Sequence, residues 1–501
     1  MARSATETSI APKVMARYEP VIGLEVHAQL ATLTKAFCGC STRFGDAPNK
    51  NVCPVCLGLP GALPTLNRRA LELAIRASLA LQCGVQPMSR FARKNYFYPD
   101  LSKGYQISMY ELPLATAGFL QIEVGGAAQP ARKRIGITRL HMEEDAAKAL
   151  HEGFVDSAKF TYVDFNRCGM PLIEIVSEPD MRAPSEAHAY LIALKQVLEY
   201  TEVSDCNMEE GSLRCDANVS VRIRGTEKFG TRTEVKNLNS FRHLQRALEY
   251  EIERQIGVLE SGGHTEQETR LYNVSAGRTE TMRSKELAHD YRYFPEPDLL
   301  PVTCDEQRLE EVREQLPELP DTKRARFVTA YGITAYDADV LSATRERADF
   351  FEEVVRHGAA PKLAANWIQT QYLRLESAGN APGNETTHKS PAAREIAELL
   401  LMIDSGEITA AVGKKIFPRM WQTGQGARSV ILEEGIVKMD DASTMEQTAR
   451  AILARDPNNV AKYRAGNESV LKFFIGQFMR ETQGQANPQT ATEILRRLLA
   501  E

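Results

Sequence analysis

Four of the nine cysteines fall between positions 38 and 56, as Cys38-x-Cys40 and Cys53-x-x-Cys56. Each close pair fills two corners of a tetrahedron, and the intervening loop brings the pairs together, which is the ligand arrangement of a structural Zn²⁺ knuckle. Four thiolates leave no open coordination position, so such a metal would staple the fold rather than react. Gly39, Pro54 and Gly58 signal tight turns around the cluster. The alternative is four free thiols packed as small hydrophobes. Just upstream, Val21-Ile-Gly-Leu-Glu25-Val-His27 places two metal-ligating residue types two positions apart.

At 501 residues the chain is too long for one ordinary core, and two or three domains are expected. A hydrophobic content of 43% and a charged content of 25% are those of a globular protein. The net charge of −5 does not mark a nucleic-acid binder, so any such role must rest on local patches. Met1 to Arg17 lacks the apolar stretch of a signal peptide, and no later run is long and charge-free enough for a bilayer. A cytoplasmic protein without membrane partners is expected, ordered after about its first dozen residues. An odd cysteine count with one metal-like cluster also fits a reducing compartment.

From Tyr18 to about 303, short alternating segments broken by Gly and Pro are interrupted by three helical patterns: Asn67 to Ala80, Pro184 to Tyr200 and Phe241 to Leu259. The first carries Leu71, Ala74, Ile75, Ser78 and Leu79 on one face; the second carries Leu191, Leu194, Val197 and Leu198. This mixture predicts an α+β domain over 18–303, rich in antiparallel sheet, with the cysteine knuckle at 38–56 inside it. Helical periodicity dominates 304–375. A polar, Gly/Pro/Asn-rich linker follows at 376–391, then a small helical module at 392–501.

Strand alternation sorts the polar residues into faces. Glu25 and His27 share one face of their strand, opposite Ile22, Leu24 and Val26. In Leu213 to Ile223, Leu213, Cys215, Ala217, Val219 and Val221 point inward, and Arg214, Asp216, Asn218 and Ser220 point the other way. Arg232, Glu234 and Lys236 align on a third segment. A fourth ends in Glu143-Glu144-Asp145, whose first two side chains must diverge, so only one of them should ligate a given ion. A single charged strand face is usually a solvated face. Four such faces in one domain point to a magnesium nucleotide site, because Mg²⁺ takes carboxylates, water and substrate phosphates.

Two segments interleave cations with rings: Arg93-Lys94-Asn-Tyr96-Phe-Tyr98-Pro-Asp100, and His289-Asp-Tyr-Arg292-Tyr293-Phe-Pro-Glu296-Pro-Asp298. They could stack a base and pair phosphates, or be core aromatics with snorkelling cations. The sequence carries no Gly-x-x-x-x-Gly-Lys-Ser/Thr phosphate loop and no kinase His-Arg-Asp motif, so an ATP site would be built on the sheet. Gly424-Gln-Gly426 lacks the final glycine of a dinucleotide fingerprint. No Ser-rich amidase signature or glutaminase cysteine context is read.

These motifs, with Pro171-Leu-Ile-Glu-Ile-Val-Ser-Glu-Pro-Asp180 and Met208-Glu-Glu-Gly-Ser-Leu-Arg-Cys-Asp-Ala-Asn218, resemble the B-subunit family of the tRNA-dependent aspartyl/glutamyl-tRNA amidotransferases. Lys462-Tyr-Arg-Ala-Gly466, Phe474-Ile-Gly-Gln477 and Gly484-Gln-Ala-Asn-Pro488 resemble that family's YqeY-like tail. The resemblance runs from Tyr18 onward. It implies a cradle related to the glutamine synthetase catalytic fold, a helical domain and a tRNA-binding tail. It implies a carbon–nitrogen ligase with glutamine as amido donor. ATP phosphorylates the side-chain carboxylate of Glu-tRNA(Gln) or Asp-tRNA(Asn), and ammonia then displaces phosphate. The ammonia comes from a separate amidase (glutaminase) partner, with a small third protein completing a heterotrimer.

Carried over by position, the resemblance assigns Mg²⁺ ligation to His27, Glu144 and Glu234, with Glu25, Glu143, Glu210 and Asp216 as the catalytic acids around them. Arg93, Lys94, Tyr96, Tyr98, Arg214 and Lys236 are the implied nucleotide-binding groups, and Cys38, Cys40, Cys53 and Cys56 the zinc ligands, in a knuckle that varies within the family. One departure is Gly466-Asn467-Glu468, where the family often has Gly-Lys. A tRNA contact in the tail then needs a local patch, for which Lys414, Lys415, Lys462 and Arg464 are candidates. Two other readings share part of this pattern: a zinc-stabilised tRNA-binding scaffold without chemistry, and a free-standing ligase acting on a small molecule.

Overall fold

The computed structural model describes residues 11–125, 131–151, 153, 155–284, 291–379, 389–435, 442–482, 486 and 488–501. The first ten residues, His289-Asp290 and most of the expected linker lie outside the described residues. The chain divides into two compact units, Met1–Leu319 and Pro320–Glu501.

The first unit is built on a 13-stranded sheet. In chain order its strands are β1 (Tyr18–Gln29), β2 (Gly84–Val85), β3 (Met88–Asn95), β4 (Tyr105–Leu112), β5 (Ala115–Val124) and β6 (Ala131–Glu144). After β7 (Lys148–Leu150) and β8 (Tyr162–Asp164), which form a separate hairpin, come β9 (Pro171–Ser177), β10 (Leu213–Ile223) and β11 (Thr233–Lys236). β12 (Glu268–Asn273), β13 (Arg278–Ser284), β14 (Phe294–Pro295) and β15 (Val302–Thr303) complete it. The spatial order is β13-β12-β11-β10-β1-β9-β6-β4-β3-β14, with β5 and β2 branching from the first half of β6. All pairings are antiparallel except β11 with β12.

Three of this unit's helices share a core with one face of the sheet. They are α2 (Arg68–Ala80), α3 (Pro184–Tyr200) and α4 (Phe241–Glu260); a short α1 (Pro12–Met15) precedes β1. Asn67 caps α2 by accepting from the amides of Arg69 and Ala70, and Ser240 caps α4 through the amide of His243. The stripe on α3 is buried as the periodicity predicts, at Leu191, Leu194, Val197 and Leu198. On α2 the buried face is rotated toward Ala70, Leu73, Ala74 and Ala77, leaving Leu71 at its margin. Under these helices lie Leu24, Val26, Ile173, Ile175, Leu140, Cys215 and Ala217, nearly inaccessible. The strand residues between them therefore emerge on the opposite face. The unit extends through α5 (Glu306–Glu314), whose Arg308 donates to Glu72 of α2 at 3.0 Å.

The second unit is helical. α6 (Pro320–Tyr331), α7 (Ala335–Leu341), α8 (Arg345–Arg356), α9 (Pro361–Trp367) and a wide π turn at Ile368–Tyr372 precede α10 (Leu373–Gly379). α11 (Ala393–Asp404), α12 (Ala410–Thr423) and α13 (Ala427–Glu433) close one core around Phe327, Phe351, Trp367, Phe417 and Trp421. A second core, around Met445, Phe474, Phe478 and Leu495, joins α14 (Ala442–Arg455), α15 (Pro457–Arg464), α16 (Ser469–Glu481) and α17 (Pro488–Ala500). Gly424 takes φ +72° and ends α12, which is the local purpose of the isolated Gly-Gln-Gly. No helix among the described residues is long and apolar enough to cross a membrane.

Candidate active site

Strand register assembles the site on the sheet face opposite the helices. His27 of β1 lies across from Arg214 of β10 on one side and Glu174 of β9 on the other, and Glu174 lies across from His141 of β6. One row across four strands thus reads Arg214, His27, Glu174, His141. In the next row Glu25 faces Asp216. Glu143 shares the face of His141, two residues along β6.

Nε2 of His27 is 3.3 Å from carboxylate oxygens of both Glu143 and Glu174. Burial disfavours its charge, but those two carboxylates outweigh burial and push its pKa up to about 10. Glu143 is held well below the usual carboxylate range, because the imidazoles of His141 and His27 overcome the cost of burying it. Glu25 shifts upward, first from burial and then from the neighbouring charge of Glu174. Buried acids that raise one another's cost of ionisation are a place where a cation is favourable. The donor set of Glu25, His27 and Glu174 lies within 4.8 Å of one another, and its oxygens and single imidazole fit a hard divalent ion.

Lys236 pairs with Asp216 and, at 3.2 Å, with Glu234. Arg214 donates to Asp145 at 2.9 Å, and Arg139 to Glu174 at 3.2 Å. Asp216, Arg214, Gln29 and the exposed Glu210 line a cleft of about 710 Å³, together with Arg43, Asp46 and Arg167. That volume suits a nucleotide-sized ligand.

Other expected site residues lie elsewhere. Glu144 points to the helix-bearing face, because neighbours on a strand alternate. There it pairs with Lys103 and accepts from the amide of Ile107 at 3.0 Å, so it is not brought together with His27. It borders a pocket of about 120 Å³ with Lys35, Tyr105 and Cys56, too small for a nucleotide. Glu234, on β11, stays on the site face but lies across from Asn218 of β10, and it accepts from the hydroxyl of Thr269 at 2.7 Å.

The guanidinium of Arg93 is committed to a fork on Glu296 at 2.7 and 2.8 Å and stacks over Tyr105. The ammonium of Lys94 sits 4.7 Å from the ring centre of Tyr291. Tyr96 meets Tyr291 and Tyr98 edge-on, while Tyr110 stacks on Tyr293 and meets His141 edge-on, so an aromatic ladder borders the carboxylates.

Glu174, His141 and Arg139 belong to this centre although spacing alone did not single them out. Two signals were present: one carboxylate in the otherwise apolar Pro171–Ser177, and a histidine two residues before Glu143.

The four knuckle cysteines converge, with donor sulfurs mutually within 4.8 Å, a set that could hold one tetrahedral metal. Cys56 is lowered to about 4, chiefly by a hydrogen bond from Cys38, which is itself pushed up. Lys35, fully buried, donates to the carbonyls of Asn51 (2.7 Å) and Phe165 (3.2 Å) and lies 3.6 Å from Sγ of Cys56. Gly58 takes φ +66°, and a Cβ there would fall 2.6 Å from Cγ of Lys103, so the knuckle closes on the sheet only with glycine at that position.

Comparison with known proteins decides what the site belongs to. Residues 20–310 match the GatB/GatE catalytic domain, and residues 349–499 match the GatB domain. The chain belongs to the GatB family. Its relatives include the B subunit of the aspartyl/glutamyl-tRNA(Asn/Gln) amidotransferase of Carboxydothermus hydrogenoformans, 53% identical over 97% of this chain and 100% of that protein. The corresponding protein of Moorella thermoacetica is 52% identical over 96% of this chain and 100% of its own length. That of Geotalea daltonii is 52% identical over 95% and 98%. The catalytic-domain match spans the whole GatB site face from Glu25 to Lys236.

Proposed function

We propose that this chain activates the side-chain carboxylate of Glu-tRNA(Gln) or Asp-tRNA(Asn) with ATP and directs its amidation, as one member of a heterotrimer with a glutaminase and a small third protein. The reading is that of a carbon–nitrogen ligase with glutamine as amido donor, acting in translation and therefore in the cytoplasm. The observation that carries it is the row of half-buried His27 and buried Glu174 and His141, with Glu25 and Glu143, beside a nucleotide-sized cleft. A scaffold without chemistry has no use for acids buried against one another.

The cleft binds substrate, with Arg43, Arg167 and Arg214 in its lining and Lys236 paired with its acid Asp216. Glu25, His27 and Glu174 are the residues that would hold Mg²⁺, which neutralises charge developing on the transferred phosphoryl group. A carboxylate oxygen of the substrate attacks the γ-phosphorus and ADP leaves. Ammonia then attacks the acyl carbon, phosphate departs with the former carboxylate oxygen, and the ammonium proton passes to a nearby base. Glu210 and Asp216, the acids lining the cleft, are placed for that proton. The knuckle would hold Zn²⁺ on Cys38, Cys40, Cys53 and Cys56 as a structural metal.

The test uses the complex assembled with an inactivated amidase, supplied with ATP, ammonium salt and mischarged tRNA. Amidated tRNA should form from ammonium and not from glutamine. Failure with ammonium in a complex that still binds the tRNA would overturn the reading.

A further inference from the structure

The loop between the two cysteine pairs forms one wall of the large cleft. Thr42, Arg43, Phe44 and Asp46 line it, and among the described lining residues Phe44 is the one aromatic. It is 64% exposed. A single exposed ring on an outer surface calls for no explanation. This one stands in a polar cleft, on a loop that is fixed from behind. The side chain of Asn166 donates to the carbonyl of Ala47 at 2.8 Å and accepts from the amide of Asn51 at 2.8 Å. Asn49 donates through its amide to Asp164 at 2.9 Å, and its side chain accepts from the amide of Phe165 at 2.8 Å. Within the loop, Asp46 accepts from the side chains of Arg43 at 3.1 Å and Asn51 at 3.0 Å. A ligand that lands on this loop has little left to order, which removes one of the costs of binding.

On the reading of the cleft as the substrate site, we propose that Phe44 is the platform on which an adenine ring stacks. An aromatic face holds a base through its π surface and leaves the base's edge free. The reaction brings two adenines to this side of the sheet, one in ATP and one in the terminal adenosine that carries the amino acid on the tRNA. The stacked pair Tyr110 and Tyr293 lies toward the β4-β3-β14 end of the sheet, whereas the cleft opens over β1 and β10. The acids of β1, β9 and β6 thus have an aromatic surface on each flank, one for each adenine. Lys148, exposed in the lining of the cleft, supplies a cation for the phosphates that accompany either ring. The knuckle then does more than staple the fold, because the loop it closes carries part of the substrate site.

The complex with an inactivated amidase, supplied with ammonium, separates the two sources of adenine. Phe44→Ala should raise KM for ATP or for mischarged tRNA about tenfold, with a smaller change in kcat, as the loss of one base stack requires. Phe44→Trp, which keeps a ring face, should restore that KM; Phe44→Leu, which keeps only apolar bulk, should not. As a direct probe, 2-aminopurine replaces adenine in the nucleoside triphosphate or at the tRNA terminus. Its fluorescence should be quenched on binding to the wild type and stay bright with Phe44→Ala, in the arm whose KM moved. A rise for ATP identifies the nucleotide as the occupant, and a rise for tRNA identifies its terminal adenosine. Amidation with both KM values unchanged in Phe44→Ala would overturn the inference and leave the proposed function standing. A rise that Phe44→Trp fails to restore would overturn it as well. A wild-type complex that forms no amide from ATP and ammonium would overturn the proposed function and this inference with it.

Discussion

Replacing Lys35 by methionine tests how the knuckle is tied to the sheet. The ammonium is fully buried and donates to two main-chain carbonyls, of Asn51 and Phe165, while standing 3.6 Å from Sγ of Cys56. Methionine keeps most of the apolar stem, so little cavity cost is added. Two carbonyls lose their donor, at about 1–3 kcal/mol each, and the thiolate cluster loses its nearest buried cation. A total loss of about 3–5 kcal/mol is expected, the range for removing one partner of a buried charged pair. In a unit of this size roughly 2 °C follows each kcal/mol, so melting should fall by about 6–10 °C. Zinc transfer to a colorimetric chelator, timed on the same samples, should be faster in Lys35→Met. A variant that melts with the wild type and releases zinc at the same rate would refute the reasoning.

Metal analysis should find about one zinc per chain, and stripping it should lower the melting temperature; a metal-free preparation with unchanged melting would count against the four-thiolate site. Glu352 sits below its ordinary value of 4.5: burial opposes its charge, but bonds from Arg326 and Tyr331 outweigh it. The unfolded chain therefore takes up that proton first, so Glu352→Gln should cost about 1 kcal/mol at pH 7, the solvent-screened worth of a partly exposed pair. Urea titrations should show the gap from wild type closing as pH falls below about 4.5 through the folded value. Lys462 and Arg464 are exposed on α15. Reversing both to glutamate should weaken tRNA binding and flatten its dependence on salt, as filter binding across a salt series would measure.

Periodicity revealed faces and left neighbours hidden. The inward set of β10 and the shared face of Glu25 and His27 follow from alternation within one strand, and both are as expected. Which strands adjoin β1 is set by non-local pairing. β9 and β6 come next to it across more than a hundred residues of chain, so the row that joins His27 to Glu174 and His141 has no local signature. Alternation did require Glu143 and Glu144 to part, and strand order selects Glu143 to face His27. Lys35, between Thr34 and Ala36, looks like any surface lysine until the knuckle folds over it.

The central claim is that the substrate carboxylate is phosphorylated before nitrogen arrives. Mischarged tRNA carrying ¹⁸O in the glutamate side-chain carboxylate, given ATP and ammonium in the assembled complex, tests it directly. An acyl phosphate requires one labelled oxygen to leave with each phosphate released during amidation, and the shift is read by mass spectrometry of the phosphate. Amide formed while the released phosphate stays unlabelled would contradict the account.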